Sequence, residues 1–399
     1  MSISRRKFLE TSALASASLM VPQFLKGFEQ KKISNKNNKI LIVVQLSGGN
    51  DGLNTIIPYR NDLYYKNRQD IGINKDKIIT LNDEIGLNPS LKGLKQLYDS
   101  GNLCIINGVG YPHPNRSHFR SMDIWHSGSA ENELINTGWI GRYLDIAGDD
   151  VNIHNTLALE TDDTLSLALK GEFKKAIAVK DINQFHNAAS TSFFRKLASH
   201  SNEHQEKLVG YLYKTLGEIK SAADYIYDQS KLYTTLQTYP NTQLGKQCKT
   251  IGSLIMANTE TKIYYVSQSG YDTHNAQNAR QDKLLQELDA SLSALVSDLK
   301  HNNRFEDVLI MTFSEFGRRV AQNAGKGTDH GTASNLFFIS GSLKKPGIYN
   351  NIPSLSDLDE GDLKYEIDFK QAYATILDKW LQTSSTEILN KKFTHLDFI

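Results

Sequence analysis

Apolar runs alternate along the chain with amphipathic stretches. The first run in the body of the chain, Ile40–Leu46, is rich in β-branched residues, which is typical of a strand buried on both faces of a parallel sheet. The same criterion predicts four more strands, at Leu103–Asn107, Lys262–Ser267, Val308–Phe313 and Leu336–Ser340. Because helical stretches separate these strands, the pattern predicts an α/β fold with a mostly parallel sheet.

Helices are predicted where apolar residues recur with the helical period. The clearest are Pro89–Ser100 and Gln281–Lys300, and Phe369–Thr383 carries a similar apolar stripe near the end of the chain. A more polar helical region precedes the third strand, and we expect it to form an insertion at about 188–245 that caps the sheet. The whole pattern predicts one domain over 40–399, with a doubly wound central sheet flanked by helices.

Paired arginines stand just before a weakly apolar segment at the N-terminus. Ser4-Arg5-Arg6-Lys7-Phe8-Leu9 precedes an apolar stretch that ends near Leu25, and this order is typical of a twin-arginine export signal. The stretch is shorter than a membrane span, which needs about 20 strongly apolar residues. We therefore expect residues 1–39 to be a signal peptide and polar linker that the twin-arginine translocase recognises, and the protein to work in the periplasm or cell envelope. The alternative is an ordinary amphipathic helix.

Charge is divided unevenly between this segment and the rest of the chain. The net charge of +1 combines +6 in residues 1–39 with −5 in the remainder. A mildly acidic body argues against nucleic acid or an anionic membrane as a partner. No later apolar run is long enough to span a membrane, so we expect a mature protein without such a span. The two cysteines, Cys104 and Cys248, could pair after export or remain as buried thiols.

Polar residues gather after the predicted strands, where α/β proteins bind ligands. The candidate metal ligands at these positions are Asp51, Asp272, His274, Glu315, Asp329 and His330. Carboxylates mixed with imidazoles suit a divalent cation such as Zn²⁺, Mn²⁺ or Mg²⁺. Ser117 is a candidate nucleophile at the start of a helix predicted over about His118–Trp125. Arg116 and Arg318 are candidates to balance the charge of a bound anion.

Each of these residues also has a purely structural interpretation. Asp51 before Gly52 could form a turn, and Asp272 could begin an Asx-turn before the following helix. Ser117 could cap its helix, and the arginines could be solvated surface charges. The prediction of a site therefore depends on the common position of these residues at one edge of the sheet.

Five segments together resemble the DUF1501 family, an exported bacterial family of unknown function that usually carries a twin-arginine signal. They are Gln45–Asn54, Asn115–Phe119, Tyr271–His274, Ser314–Arg318 and Thr328–Gly331. The resemblance covers nearly the whole chain. The family in turn looks like a distant branch of the alkaline phosphatase and sulfatase superfamily. Members of that superfamily have a doubly wound α/β fold, two metal ions and a Ser, Thr or modified Cys nucleophile.

The resemblance implies roles for individual residues. Asp272, His274 and His330 would hold one metal ion. Asp51 and Glu315 would share the other, and Ser117 would be the nucleophile.

The sequence also departs from the superfamily pattern. Glu315-Phe316 stands where the superfamily has Asp-His, so one imidazole ligand is missing. Asp51 comes several residues after its strand, whereas the corresponding aspartate of the superfamily follows directly. The segment Ser117–Arg120 lacks the pattern that sulfatase maturation needs, so sulfatase activity is not expected.

The sequence thus predicts an exported, metal-dependent hydrolase of phosphate or related esters. A metal would polarise the ester oxygen, and Ser117 or water would attack. The alternative is a non-catalytic envelope protein that binds a small anionic ester or glycan in a degenerate pocket. The missing imidazole at Phe316 favours this alternative, whereas the retained aspartates and histidines favour the hydrolase.

Overall fold

The computed structural model describes residues 38–147, 156–198 and 207–399. The arginine pair and nearly all of the expected signal peptide and linker lie outside these ranges. The strands are β1 (Ile40–Ser47), β2 (Ile56–Ile57), β3 (Ile79–Thr80), β4 (Gly86–Leu87), β5 (Leu103–Gly110), β6 (Ala158–Glu160), β7 (Ile177–Ala178), β8 (Ile263–Ser269), β9 (Val308–Phe313), β10 (Ser334–Ile339), β11 (Gly347–Ile348), β12 (Leu358–Asp359), β13 (Asp362–Leu363) and β14 (Ile367–Asp368). The five predicted strands are confirmed as β1, β5, β8, β9 and β10.

Helices occupy most of the segments between these strands. They are α1 (Gly52–Thr55), α2 (Asp62–Asn67), α3 (Lys92–Asp99), α4 (His118–Ser127), α5 (Trp139–Ala147), α6 (Ile182–Ala189), α7 (Ser192–Ala198), α8 (Lys207–Ser230), α9 (Gln243–Met256), α10 (Gln277–His301), α11 (Phe369–Thr375) and α12 (Ser385–Leu389). Short 3₁₀ turns cover Lys75–Lys77, Leu167–Leu169 and Phe305–Asp307. The helix predicted over Phe369–Thr383 changes after α11 into a π-helical segment, Ile376–Trp380, from which the Trp380 indole donates to the Ile40 carbonyl.

The central sheet is mostly parallel, as predicted. Within the described residues, the sheet has nine strands in the order β11–β5–β10–β9–β1–β8–β6–β7, with β14 paired to β5. Strands β9, β1, β8, β6 and β7 pair in parallel. Strand β10 is antiparallel to both β5 and β9. Two small sheets, β2–β4–β3 and β12–β13, lie outside it.

The reversed direction of β10 determines where the candidate loops meet. Strands β5 and β9 both run opposite to β10, so they share the direction of β1 and β8. The segment that precedes β10 therefore enters the sheet at the edge where β1, β5, β8 and β9 end. Five loops from distant parts of the chain consequently converge on one edge of the sheet, as the rule for α/β proteins leads us to expect.

Each face of the sheet has its own hydrophobic core. Leu41 and Val43 of β1 pack with apolar side chains of α4, α5 and α11 on one face. Ile42 and Val44 pack with those of α3, α9 and α10 on the other. Because both faces are covered, the strand has no position for a solvent-facing polar residue until its carboxyl end, which explains its continuous apolar run.

The two cysteines are buried free thiols. Cys104 belongs to the core on one face of the sheet and Cys248 to the core on the other. The structure therefore supports buried thiols over a pair. In the described ranges, none of the helices combines the length and apolar character that crossing a bilayer requires.

Candidate metal centre

The carboxyl edge of the sheet carries three histidines and one aspartate in a single group. His118 is the first residue of α4, Asp272 and His274 lie in the loop after β8, and His330 lies in the loop before β10. A backbone bridge between Arg318 and His330 joins the two arms of that last loop. The group is thus assembled from three segments that are far apart in sequence.

The Nε2 atoms of the three histidines all lie close to one oxygen of Asp272. Nε2 of His274 lies 3.0 Å from Nε2 of His330 and 3.0 Å from Oδ1 of Asp272. The same Asp272 oxygen lies 3.3 Å from Nε2 of His330 and 3.6 Å from Nε2 of His118. The structure therefore brings together Asp272, His274 and His330, as the ligand prediction requires, and adds His118 to them.

The other ring nitrogen of each histidine faces an oxygen acceptor. The Nδ1 contacts are His118 with Glu315 Oε1 at 2.8 Å, His330 with the Arg116 carbonyl at 2.8 Å, and His274 with Asp329 Oδ1 at 3.0 Å. Because carbonyl and carboxylate oxygens only accept, each Nδ1 is the donor. A neutral ring with a proton on Nδ1 has a free lone pair on Nε2, which is the form that binds a metal.

Three imidazole lone pairs around one carboxylate oxygen repel one another unless a positive charge lies between them. Nε2 of His118 is buried and has no hydrogen-bond partner among the described residues. The donor atoms of His118, Asp272 and His330 all lie within 4.8 Å of one another. Lone pairs that converge in this way, one of them buried and unpaired, fit a divalent cation.

Asp272 supplies the negative charge of this group. Burial alone would raise the pKa of Asp272, but the hydrogen bond and charge of Arg318, together with His330 and His274, outweigh burial and lower it to about 2. The hydrogen bond with Glu315 raises the pKa of His118, whereas burial lowers the pKa of His330. Asp272 is therefore ionised at neutral pH and available to a cation.

Glu315 and Asp329, both predicted as ligands, each contact the Nδ1 atom of a histidine. Glu315 is buried and accepts hydrogen bonds from the Gly48 amide at 2.8 Å and the Ser314 hydroxyl at 3.1 Å, besides its contact with the His118 ring. Asp329 is exposed and accepts from Asn323 as well as from His274. Both are positioning residues for the imidazoles.

Asp51 also differs from its predicted role as a metal ligand. Its side chain is fully buried, and Oδ2 lies 2.5 Å from Nη1 of Arg68 and accepts a hydrogen bond from Gln277. Its other oxygen accepts from the Leu53 amide at 3.1 Å, so Asp51 caps α1. Both oxygens of Asp51 thus accept hydrogen bonds within the protein, and its charge is paired with a buried arginine.

Arg318, predicted to balance the charge of a bound anion, connects the loops around the centre. The side chain is buried, and its donors reach the carbonyls of Gly49 at 2.7 Å, Thr328 at 2.8 Å and Tyr271 at 3.1 Å. A further nitrogen contact, at 2.7 Å, is with Asp272 Oδ1. The guanidinium thereby ties three loops together and fixes the orientation of Asp272.

Ser117 and Arg116 lie at the rim of the group. Ser117 occupies the N-cap position of α4, and its hydroxyl makes no capping hydrogen bond. The side chain is exposed one residue before His118. The Arg116 side chain pairs with Asp362 at 2.5 Å. Ser117 thus lacks the structural role of a helix cap that the sequence allowed.

Phe316 forms a wall of the centre. Its ring centroid lies 4.9 Å from that of His118 and 4.7 Å from that of His330. On its other side Phe316 faces Gly49, where a β-carbon would approach the ring to 2.3 Å. Glycine is therefore required at this turn, and the aromatic ring restricts the orientation of two histidines.

The prediction from sequence missed His118 as a ligand candidate. Its signal was present, since His118 starts the helix that follows β5 at the same edge as the other candidate ligands. A survey of every histidine near a strand end would have included it.

A comparison with protein families decides the identity of the chain. Residues 38–383 match a family described as "Protein of unknown function (DUF1501)". The chain belongs to this family. The expected DUF1501 membership is thus confirmed, and a comparison with curated proteins finds no match.

Three solved structures illustrate what this DUF1501 protein is similar to. The lipoteichoic acid synthase LtaP from Listeria monocytogenes has 10% identity and a TM-score of 0.39, covering 95% of this chain and 81% of that one. The PsFucS1 sulfatase from Pseudoalteromonas sp. has 12% identity and a TM-score of 0.39, covering 97% and 74%. An alkaline phosphatase superfamily protein from Vibrio parahaemolyticus has 10% identity and a TM-score of 0.39, covering 100% and 81%. Similarities of this size are too low to transfer a reaction or a residue's role.

Proposed function

We propose that this protein is a metal-dependent hydrolase of phosphate or related esters that works in the cell envelope. One observation carries the proposal: three imidazole Nε2 atoms converge on the ionised carboxylate of Asp272. Each imidazole is held through Nδ1 by an oxygen acceptor. Such preorganisation is typical of metal ligands and is uncommon for surface histidines.

His118, His274, His330 and Asp272 would hold the cation. Three nitrogen donors and one oxygen favour Zn²⁺ or Mn²⁺ over Mg²⁺, which prefers oxygen ligands. A cation bound there supplies Lewis-acid activation of an ester oxygen.

Ser117 is the nucleophile in this proposal. It precedes the ligand His118, and its hydroxyl is not used to cap α4. The N–H groups of the first turn of α4 would face an ester anion that lies beside Ser117. The Ser117 oxygen would form a bond to phosphorus as the bond to the leaving alcohol breaks. The serine proton would pass to solvent, and the leaving alcohol would take up a proton from solvent. Water would later hydrolyse the phosphoserine and release phosphate.

Hydrolysis by the zinc-loaded protein tests this proposal. We expect turnover of an aryl phosphate, loss of turnover in Ser117→Ala with metal content unchanged, and loss of both metal and turnover in His330→Ala. A zinc-loaded wild-type protein that hydrolyses no phosphomonoester, phosphodiester or sulfate ester would contradict it.

A non-catalytic binding protein is the second candidate. It is favoured by Asp51, which the resemblance assigns to a second metal ion and which pairs with Arg68 in this structure. This candidate predicts a protein that binds metal and an anionic ester or glycan without turnover. The hydrolysis experiment therefore separates the two functions.

Location in the cell envelope rests on the arginine pair at Arg5 and Arg6, outside the described residues. Replacement of both by lysine is expected to leave the precursor in the cytoplasm, because the translocase recognises the pair. Normal envelope levels of the Lys-Lys variant in a fractionation experiment would argue against this export route.

A further inference from the structure

Two arginines beside the metal centre share one buried carboxylate. Nε and Nη2 of Arg116 lie 2.8 and 2.5 Å from Oδ2 of Asp362, and Nε of Arg319 lies 3.1 Å from Oδ1. The Asp362 side chain is 0% exposed, whereas those of Arg116 and Arg319 are 39% and 38% exposed. Two permanent positive charges thus face solvent over a single buried negative charge.

The shared carboxylate also fixes how the two guanidinium groups are presented. Arg319 donates from Nη2 to the Glu360 carbonyl at 2.7 Å, which immobilises it further. In the described ranges the hydrogen bonds of both arginines use Nε and Nη2, so Nη1 remains available on each. A guanidinium that is already held in place loses less conformational entropy when it binds an anion than a mobile surface arginine does.

Backbone contacts connect this pair directly to the metal centre. The Arg116 carbonyl accepts from Nδ1 of His330 at 2.8 Å. The Arg319 amide donates to the Asp329 carbonyl at 3.0 Å. Arg116 is therefore hydrogen-bonded to His330 of the centre. Arg319 is hydrogen-bonded to Asp329, which positions His274.

We propose that Arg116 and Arg319 form an anion clamp for a second anionic group of the substrate. The substrate class is then an ester that carries a further sulfate, phosphate or carboxylate close to the scissile bond. This naming of the substrate rests on the proposed hydrolase function, whereas the clamp itself does not need the metal. Glu360 is a competing anion, because its exposed carboxylate lies 3.5 Å from Nη2 of Arg116.

Binding of sulfate to the metal-free protein tests the clamp independently of catalysis. Isothermal titration of the chelator-treated protein with sodium sulfate is expected to show one site. Affinity should fall about tenfold in Arg319→Gln and in Arg116→Gln, because each removes a charged donor. Arg60→Gln, a variant of an exposed arginine elsewhere on the surface, should bind like the wild type.

The variant Glu360→Gln separates an anion site from a merely structural ion pair. Removal of the competing carboxylate should strengthen sulfate binding, whereas a structural role predicts no gain. Arg319→Lys keeps the charge and should restore part of the affinity that Arg319→Gln loses. Thermal melting of each variant verifies that it is folded. Absence of sulfate binding by the wild type, or equal binding by the wild type and Arg319→Gln, would overturn the clamp.

The zinc-loaded protein then tests the substrate class. Aryl phosphates with and without a ring carboxylate are compared, and kcat/KM is expected to be about tenfold higher for the doubly anionic ester. This preference should disappear in Arg319→Gln and persist in Arg60→Gln. Failure of both esters to react would contradict the hydrolase function alone, since sulfate binding by the metal-free protein would still stand.

Discussion

Asp51 and Asp272 both follow strands that end at the same edge of the sheet, yet their surroundings are opposite. Asp51 is fully buried and paired with Arg68. Asp272 is 46% exposed and is surrounded by the Nε2 atoms of three histidines. Sequence alone predicted the same role for both.

The difference shows how the neighbours of a carboxylate decide its use. At Asp51, a buried arginine and Gln277 occupy the carboxylate, so the cluster stabilises loops. At Asp272, Arg318 donates to Oδ1 and lowers the pKa of the carboxyl, and the same oxygen also faces the three imidazoles. We therefore assign a stabilising role to Asp51 and a binding role to Asp272.

Asp51→Ala should have the largest effect on stability. It leaves the charge of Arg68 buried without its partner, which is expected to cost about 3–5 kcal/mol of the free energy of unfolding. Chemical denaturation measures this cost. Asp163→Ala removes an exposed ion pair with Lys180 and should destabilise the protein far less than Asp51→Ala does. If both substitutions lowered the unfolding free energy by the same small amount, Asp51 would not have the stabilising role assigned to it.

His330→Ala should have its main effect on metal binding. The loss of a ligand is expected to weaken Zn²⁺ affinity by at least about 100-fold, which is more than the loss of a residue that only positions a ligand. The unfolding free energy of the metal-free protein should change by less than about 1 kcal/mol, because the side chain is partly exposed. Zinc titration is the measurement, and His301→Ala, at the exposed end of α10, is the matched control. Unchanged affinity in His330→Ala would remove it from the centre.

Glu315→Gln should weaken metal binding more moderately. Glu315 holds His118 through Nδ1, and loss of such a partner typically costs about 10–100-fold in affinity. The number of metal ions bound at saturation should stay the same, as expected for a positioning residue. Glu306→Gln, an exposed carboxylate, is the control. Complete loss of bound metal in Glu315→Gln would instead indicate a direct ligand.

Ser117→Ala should have the smallest effect on stability. Because the hydroxyl makes no capping bond, we expect a change of only a few tenths of a kcal/mol. Ser384 is the matched control, since its hydroxyl accepts from the Glu387 amide at 3.4 Å and its replacement by alanine should cost about 1 kcal/mol. A cost for Ser117→Ala equal to that of Ser384→Ala would indicate a cap and weaken its assignment as nucleophile.

The architecture could be predicted from sequence because buried strands and amphipathic helices leave strong periodic signals. The position of Asp272, His274 and His330 followed from the geometry of strand ends. The pairing of Asp51 could not be predicted, because Arg68 reaches it from a separate loop and no pattern in the sequence links the two. His118 was missed although its position at the start of the helix after β5 was a usable signal, and the structure adds that its ring faces Asp272.

Phe316 illustrates a different limit. Compared with the superfamily pattern, Phe316 only marks the position of a missing imidazole ligand. In the structure its ring packs against His118 and His330 and so helps to orient them. His118, the first residue of α4, meanwhile places an imidazole near Asp272 that the superfamily pattern does not include. A substitution at one position of a site can thus be accompanied by a ligand from another segment, which only the three-dimensional arrangement reveals.

The number of imidazoles that bind the metal tests the account most directly. X-ray absorption spectroscopy of the zinc-loaded protein measures it in solution. The account predicts three imidazole nitrogens and a carboxylate oxygen at about 2.0–2.1 Å from Zn²⁺. A first shell with at most one imidazole, or with oxygen ligands only, would contradict the assignment of His118, His274 and His330 to the centre.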